Sequence, residues 1–256
     1  MTTQKDRAIL FATLHIKGNP LILFNVWDAG SAKIVEDMGA KAIATGSWAV
    51  AVAHGFKDGE TLPFELVLAN VQRIVASVNL PVTVDLESGY GQTPADVKNS
   101  VAQAIKAGAI GVNFEDQIIG EEGLYTIEAQ CARIAAAREA ADEAALPLFI
   151  NARTDIYLKV SPADQTDAHL QDAIHRAQSY AQAGASGFFA PGLRKAEWIG
   201  TLCEQSPIPV NIMVMADVPS TQEMAALGVA RISHGAGPYL HAMNALKEAG
   251  RAALMK

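Results

Sequence analysis

Cysteine is nearly absent from this chain: Cys131 and Cys203 are the only two. They lie far apart, in stretches of helical character and without metal-ligand spacing, so free structural thiols are expected rather than a disulfide or a thiolate metal site. Lysine and arginine form no cluster and the net charge is −7, which argues against a nucleic-acid partner. No apolar run approaches the roughly 18 uncharged residues that a membrane span needs. The opening Met1-Thr2-Thr3-Gln4-Lys5-Asp6-Arg7 lacks the layout of a signal peptide, so a soluble cytoplasmic protein is expected, with no membrane partner. A Gly-x-Gly-x-x-Gly turn is also missing. Gly89-Tyr90-Gly91 has no third glycine and runs into Pro94, which weakens the alternative of an open, doubly wound nucleotide-binding sheet.

What the chain does have is an alternating rhythm. Four apolar runs open behind a proline, at Pro20, Pro81, Pro147 and Pro209, and four open behind a glycine, at Gly39, Gly108, Gly184 and Gly228. Glycine supplies the left-handed residue that ends a helix, whereas proline fits the first residue of a strand, so both mark helix-to-strand joints. Helical periodicity fills the intervals, notably 95–107, 127–145, 168–183 and 220–227, with Pro94, Pro219 and Pro63 suited to first turns. Eight such units close naturally into a (β/α)8 TIM-type barrel, here expected to occupy residues 1–256 as one domain. Residues before Pro20 are expected to cap the bottom of the barrel, and 237–256 to carry the last helix.

Catalysis in such a barrel belongs at the C-terminal strand ends. Strand three ends in Asp85 and Glu87, which alternation points to one side. Two such acids repel unless a cation or a shared proton separates them, and they read either as metal ligands or as solvated loop acids. Glu115 on the neighbouring strand completes a three-carboxylate set suited to Mg2+ or Mn2+; it also reads as an ion-pair partner of Arg153, and the two roles are compatible. Arg153 is either structural or a planar fork for a substrate carboxylate or phosphonate. Thr45-Gly46-Ser47 offers short side chains and backbone N–H groups to a carboxylate, or is simply a tight turn. His54 and His234 are left outside the catalytic set, and Trp27 and Trp48 are expected to pack at the barrel mouth.

Six segments in order, from Asn25-Val26-Trp27-Asp28-Ala29-Gly30-Ser31-Ala32 through Thr45-Gly46-Ser47, Gly55-Phe56-Lys57-Asp58, Val84-Asp85-Leu86-Glu87-Ser88-Gly89-Tyr90-Gly91 and Phe114-Glu115-Asp116-Gln117 to Asn151-Ala152-Arg153-Thr154-Asp155, resemble the phosphoenolpyruvate mutase and isocitrate lyase superfamily. The resemblance implies a (β/α)8 barrel whose C-terminal helix is swapped between subunits, a homodimer or homotetramer, and a Mg2+-dependent (or Mn2+-dependent) site for small 2-oxo acids or phosphonates. It also implies Asp85 as direct metal ligand, Glu87 and Glu115 as its partners, directly or through water, and Asp58 as a loop acid on metal-bound water. Gly46 and Ser47 would grip the substrate carboxylate beside Thr45, Arg153 would polarise the reacting end, and Asn211 would add a polar contact.

Two departures bear on the reaction. Glu87 stands where the family usually has Asp. After Gln117 the chain reads Ile118-Ile119-Gly120-Glu121-Glu122-Gly123-Leu124-Tyr125, without the Lys-Lys/Arg-Cys-Gly-His loop of the lyases and without the lysine-rich mutase loop. The expected activity is therefore decarboxylation or C–C cleavage of a pyruvate derivative through a metal-stabilised enolate. The alternatives are P–C chemistry, as in a phosphonomutase or a phosphonopyruvate hydrolase, and an oxo-acid-binding protein without turnover.

Overall fold

A computed structural model describes residues 2–254. Eight strands run in chain order: β1 (Leu21–Leu23), β2 (Ile43–Ala44), β3 (Val82–Asp85), β4 (Gly111–Glu115), β5 (Phe149–Arg153), β6 (Gly187–Phe189), β7 (Val210–Met213) and β8 (Arg231–Ser233). Each proline or glycine singled out above precedes one of them. All pairings are parallel, in the order β1-β8-β7-β6-β5-β4-β3-β2. The ring closes just beyond β1, where Val26 bridges Thr45; Val26 N donates to Ala44 O at 2.9 Å and Gly46 N to Val26 O at 3.2 Å. This is the (β/α)8 barrel and not the open sheet.

The helices are α1 (Gln4–Thr13), α2 (Ala29–Asp37), α3 (Ser47–Ala53), α4 (Phe64–Ser77), α5 (Pro94–Lys106), α6 (Ile127–Glu143), α7 (Asp167–Gln182), α8 (Ala196–Gln205), α9 (Thr221–Ala226) and α10 (Gly237–Leu254). Their starts are local chemistry. Thr3, Asp28, Thr93 and Ser220 each accept from the N–H three residues on, satisfying a first-turn donor, and Pro94 occupies the first turn of α5. Pro63 and Pro219 fall just outside the helices they precede. α2, α5, α7 and α9 end on Gly39, Gly108, Gly184 and Gly228, all with positive φ. At Gly108 a Cβ would also lie 2.8 Å from Val75 Cγ1, so only glycine fits.

α1 caps the barrel bottom as expected. Its Phe11 is fully buried and meets the Phe149 ring edge-on at 5.4 Å, a burial that contributes about 2 kcal/mol. At the opposite end Trp27 and Trp48 both meet the Tyr239 ring edge-on, at 5.1 and 5.9 Å, which places them at the barrel mouth. Both cysteines are free thiols, Cys203 buried and Cys131 half-buried. No helix among the described residues is long and apolar enough to cross a membrane. The short α3, directly after Gly46, was not expected. It starts on the residues read as a turn and brings a helix N-terminus to the catalytic end of the barrel.

Candidate active site

The C-terminal strand ends surround a cavity of about 180 Å³, bordered by Asn25, Ser47, Asp58, Asp85, Asn113, Arg153 and Ser233, with Trp48, Phe189 and Met213 as apolar wall. Of the residues picked from sequence, Gly46, Ser47, Asp58, Asp85 and Arg153 therefore meet at one place.

Asp85 closes β3. Its backbone N–H donates to Thr45 Oγ1 at 2.9 Å and its Oδ2 accepts from Ser47 N at 3.1 Å. Thr45 thus positions the acid instead of bordering the cavity. Glu87 leaves the strand with φ +51°, and its carboxylate accepts from Gly59 N at 2.7 Å, Glu60 N at 2.6 Å and the Tyr90 hydroxyl at 3.1 Å. These bonds tie the loop that carries Asp58 to strand three. Burial, with the fields of Asp58 and Asp85 adding, pushes the Glu87 carboxyl up to about 7. A void of about 10 Å³, room for about one water, borders both Asp85 and Glu87.

Arg153 closes β5. Nη1 pairs with Glu115 Oε2 at 2.7 Å, while Nε and Nη2 grip Asp155 at 2.6 and 2.8 Å. Burial works against its charge, but the two carboxylates more than offset this and raise it above the ordinary arginine value. Burial drives Glu115 the other way, well above the usual carboxylate range, against the pull of Arg153. Asp58 is likewise raised, by burial and then by Asp85. Asn211 is buried, exchanging hydrogen bonds with Ser233 Oγ at 3.1 and 3.2 Å, and reaches the cavity only through that serine.

Asp58, Asp85, Glu87, Glu115 and Asp155 outnumber Arg153, the one cation lining the cavity among the described residues. A hard divalent ion suits such an oxygen-rich, electronegative place, and this donor set fits Mg2+ or Mn2+. Among the described residues no three His, Cys, Asp or Glu side chains converge into a ready metal cluster. The reason is geometric: Glu87 is committed to loop N–H groups and Glu115 to Arg153. That arrangement suits Mg2+, which keeps several waters and takes one or two carboxylates.

The Gly46 N–H is spent on Val26 and the Ser47 N–H on Asp85. The next two residues, Trp48 and Ala49, border the cavity and carry first-turn N–H groups that have no intrahelical partner. Glu121 and Glu122 stand exposed on a short hairpin closed by the Gln117–Leu124 bridge, and the Tyr125 ring lies 3.8 Å from the Arg133 guanidinium. None of the three borders the cavity, nor does Cys131.

Sequence reasoning assigned no role to Asp155 or Asp116. Asp116, wholly buried, accepts from Asp155 N at 3.0 Å, Arg176 Nη1 at 3.0 Å and the Tyr180 hydroxyl at 2.9 Å, anchoring the residue that holds Arg153. The i,i+4 spacing of Arg176 and Tyr180 on α7 was the available signal, and nothing local tied it to Asp116.

Fold and cavity together define a (β/α)8 barrel enzyme with an acidic centre at its strand ends. The chain belongs to the phosphoenolpyruvate phosphomutase family, whose model matches residues 11–254, within the superfamily of phosphonomutases and isocitrate lyases. A Burkholderia cenocepacia J2315 protein assigned provisionally as a phosphonomutase is similar at 49% identity and TM-score 0.96, over 98% of this chain and 100% of that one. The 2-methylisocitrate lyase of Escherichia coli K12 is 30% identical over 230 residues, 86% of this chain and 75% of that protein. The oxaloacetate decarboxylase of Pseudomonas entomophila is 26% identical over 249 residues, 94% and 82% of the two chains. At the level of fold, a phosphonopyruvate hydrolase solved with oxalate and Mg2+ superposes with TM-score 0.82 at 22% identity, over 94% of this chain and 84% of that one. The chain is thus an enzyme of the lyase and mutase type that acts on C–C or P–C bonds.

Proposed function

We propose that this enzyme is a Mg2+-dependent decarboxylase of a small 2-oxo diacid of the oxaloacetate kind. The observation that carries the reading is the make-up of the cavity: Asp85 and Arg153 border the same 180 Å³, and no cysteine, lysine or histidine does among the described residues. Asp85 would hold the metal directly, with Glu87, Glu115 and Asp58 acting through water, and the bound ion would supply Lewis-acid stabilisation for the charge of an enolate. Arg153 offers its remaining N–H bonds to a substrate oxygen, and the Trp48 and Ala49 N–H groups suit a carboxylate.

Decarboxylation asks least of these residues. The C–C electron pair passes into the enolate as CO2 departs, so no base starts the reaction and no acid accompanies the leaving group. Protonation at C3 comes afterwards, from water or from Asp58, whose raised carboxyl is suited to hold a proton in the cavity. Cleavage of 2-methylisocitrate, by contrast, needs a base on one fragment and an acid on the other.

The reading extends to assembly. Ile22 on β1 and Phe24 just past its end are 40% and 38% exposed, and α10 buries only Pro238 and Tyr239 while Leu246 stays 65% exposed. A C-terminal helix exchanged between subunits of a homodimer or homotetramer would cover such surfaces. The activity is tested by pyruvate release from oxaloacetate, phosphonopyruvate and 2-methylisocitrate, with Mg2+ or with chelator and against protein-free controls. Oxaloacetate is expected to be turned over fastest; faster release from either other compound would overturn the assignment.

A further inference from the structure

Beneath the cavity lies a charge that the reaction described above does not use. Arg231, on β8, is 1% exposed. Its Nη2 donates to Asn113 Oδ1 at 3.0 Å and its Nε to Ser233 Oγ at 3.3 Å, while Nη1 has no partner among the described residues. Burial lowers its pKa to about 9, and Asp85 is the acid whose field offsets that loss. Nearby His15 adds no second positive charge, because burial and then Arg231 itself keep the imidazole neutral, at about 3. A buried guanidinium without a carboxylate partner is costly unless negative charge comes from elsewhere.

Asn113 indicates where that charge sits. Arginine cannot accept a hydrogen bond, so the Asn113 atom facing Arg231 must be the oxygen. Asn151 Nδ2 donates to that same oxygen at 2.9 Å. With its oxygen doubly held below, the Asn113 amide nitrogen has no protein partner among the described residues, and the residue borders the cavity. A ligand with an acceptor oxygen in the cavity would complete it.

We infer that Asn113 is a substrate-binding residue, an amide donor locked toward the cavity, and that Arg231 is the positioning residue that locks it and supplies a buried countercharge for an anionic substrate. This rests on the reading of the cavity as an oxo-acid site. The Coulomb energy between a fixed charge and a ligand scales with ligand charge, so losing Arg231 costs a dianion the square of the factor it costs a monoanion. Oxalate and pyruvate share a vicinal oxygen pair and differ by one charge.

Titration calorimetry with Mg2+ is expected to show Arg231→Met weakening pyruvate about threefold and oxalate about tenfold. Arg231→Lys, which keeps the charge, should weaken both but keep the wild-type ratio; a ratio moved by Arg231→Met and not by Arg231→Lys is a pattern that general structural damage does not produce. Asn113→Asp replaces the donor with an anion of the same shape that can pair with Arg231, and should cost oxalate at least about tenfold. An oxalate-to-pyruvate ratio unmoved by Arg231→Met overturns the inference. If that variant fails to fold, Asn113→Asp binding oxalate as tightly as wild type does so instead. Wild type binding neither ion would overturn the oxo-acid reading itself, which separates the two failures.

Discussion

Asp155 grips Arg153 through two parallel hydrogen bonds, Nε to Oδ1 at 2.6 Å and Nη2 to Oδ2 at 2.8 Å, although the residues are only two apart in the chain. With Glu115 on Nη1, the guanidinium is clamped from two directions. Three of its five N–H bonds are thus used inside the protein, and the side chain reaches a ligand already oriented.

Asp155→Asn keeps the shape but removes the charge and one of the two strong bonds. Arg153 should then relax toward Glu115, and kcat/KM should fall about 100-fold, the usual scale for a misplacement of about 1 Å. Steady-state kinetics with Mg2+ checks this; an unchanged kcat/KM would mean that Glu115 alone orients the arginine.

Asp85→Ala should weaken Mg2+ or Mn2+ binding by at least about tenfold, because it removes a cavity-bordering carboxylate that is held by backbone N–H groups and paired with no cationic side chain. Glu121→Ala, on the exposed hairpin, is the control and should leave affinity untouched. Equal metal affinity for wild type and Asp85→Ala in calorimetry would take Asp85 out of the coordination sphere.

His15 sets a pH dependence of stability. Burial lowers its pKa from 6.5 to about 3. Between those values the unfolded chain binds a proton that the folded chain does not, so this contribution is present above pH 6.5 and is lost as pH falls toward 3. His15→Gln should lose about 3 kcal/mol less stability than wild type between about pH 7 and pH 4. Urea denaturation at both pH values measures the difference, and equal losses would show that His15 does not titrate as argued.

Truncation after Gly237 removes α10 and with it Tyr239, the partner of Trp27 and Trp48. If α10 covers a neighbour's β1, light scattering should show the wild-type oligomer reduced to monomer. A wild type already monomeric at micromolar concentration would contradict the swapped helix.

Strand starts were legible because proline and glycine act locally: Pro81 before Val82 and Gly108 before β4 need no distant information. The co-location of Asp58, Asp85 and Arg153 followed once the barrel was read and the family motifs were matched. The direction of each carboxylate did not follow. Glu87 turns to the 59–60 N–H groups through a left-handed backbone step that no alternation rule anticipates, and Asp116 is satisfied by Arg176 and Tyr180, separated from it by 60 and 64 positions. Thr45 and Asn211 were chosen as substrate contacts for their chemistry, yet each spends it on a neighbour, Asp85 N–H and Ser233 Oγ. α3 was hidden because its Gly46 N-cap looks like an ordinary turn glycine.

The seam between β1 and β2 ties the timing of folding to the far end of the chain. Asn25, just past β1, accepts from His234 and Gly235 N–H at 2.9 Å each and donates to Thr45 O at 3.0 Å, so one carboxamide joins three segments. β1 also has β8 as its ladder neighbour. During synthesis the first strand must therefore wait for about 210 further residues before its last partner emerges. Until then Leu21, Ile22 and Leu23 lack the residues they pair with, Arg231, Ile232 and Ser233. A ribosome pausing late in the message would hold the molecule one strand short of a closed ring, with the edge of β1 open to pairing with another chain.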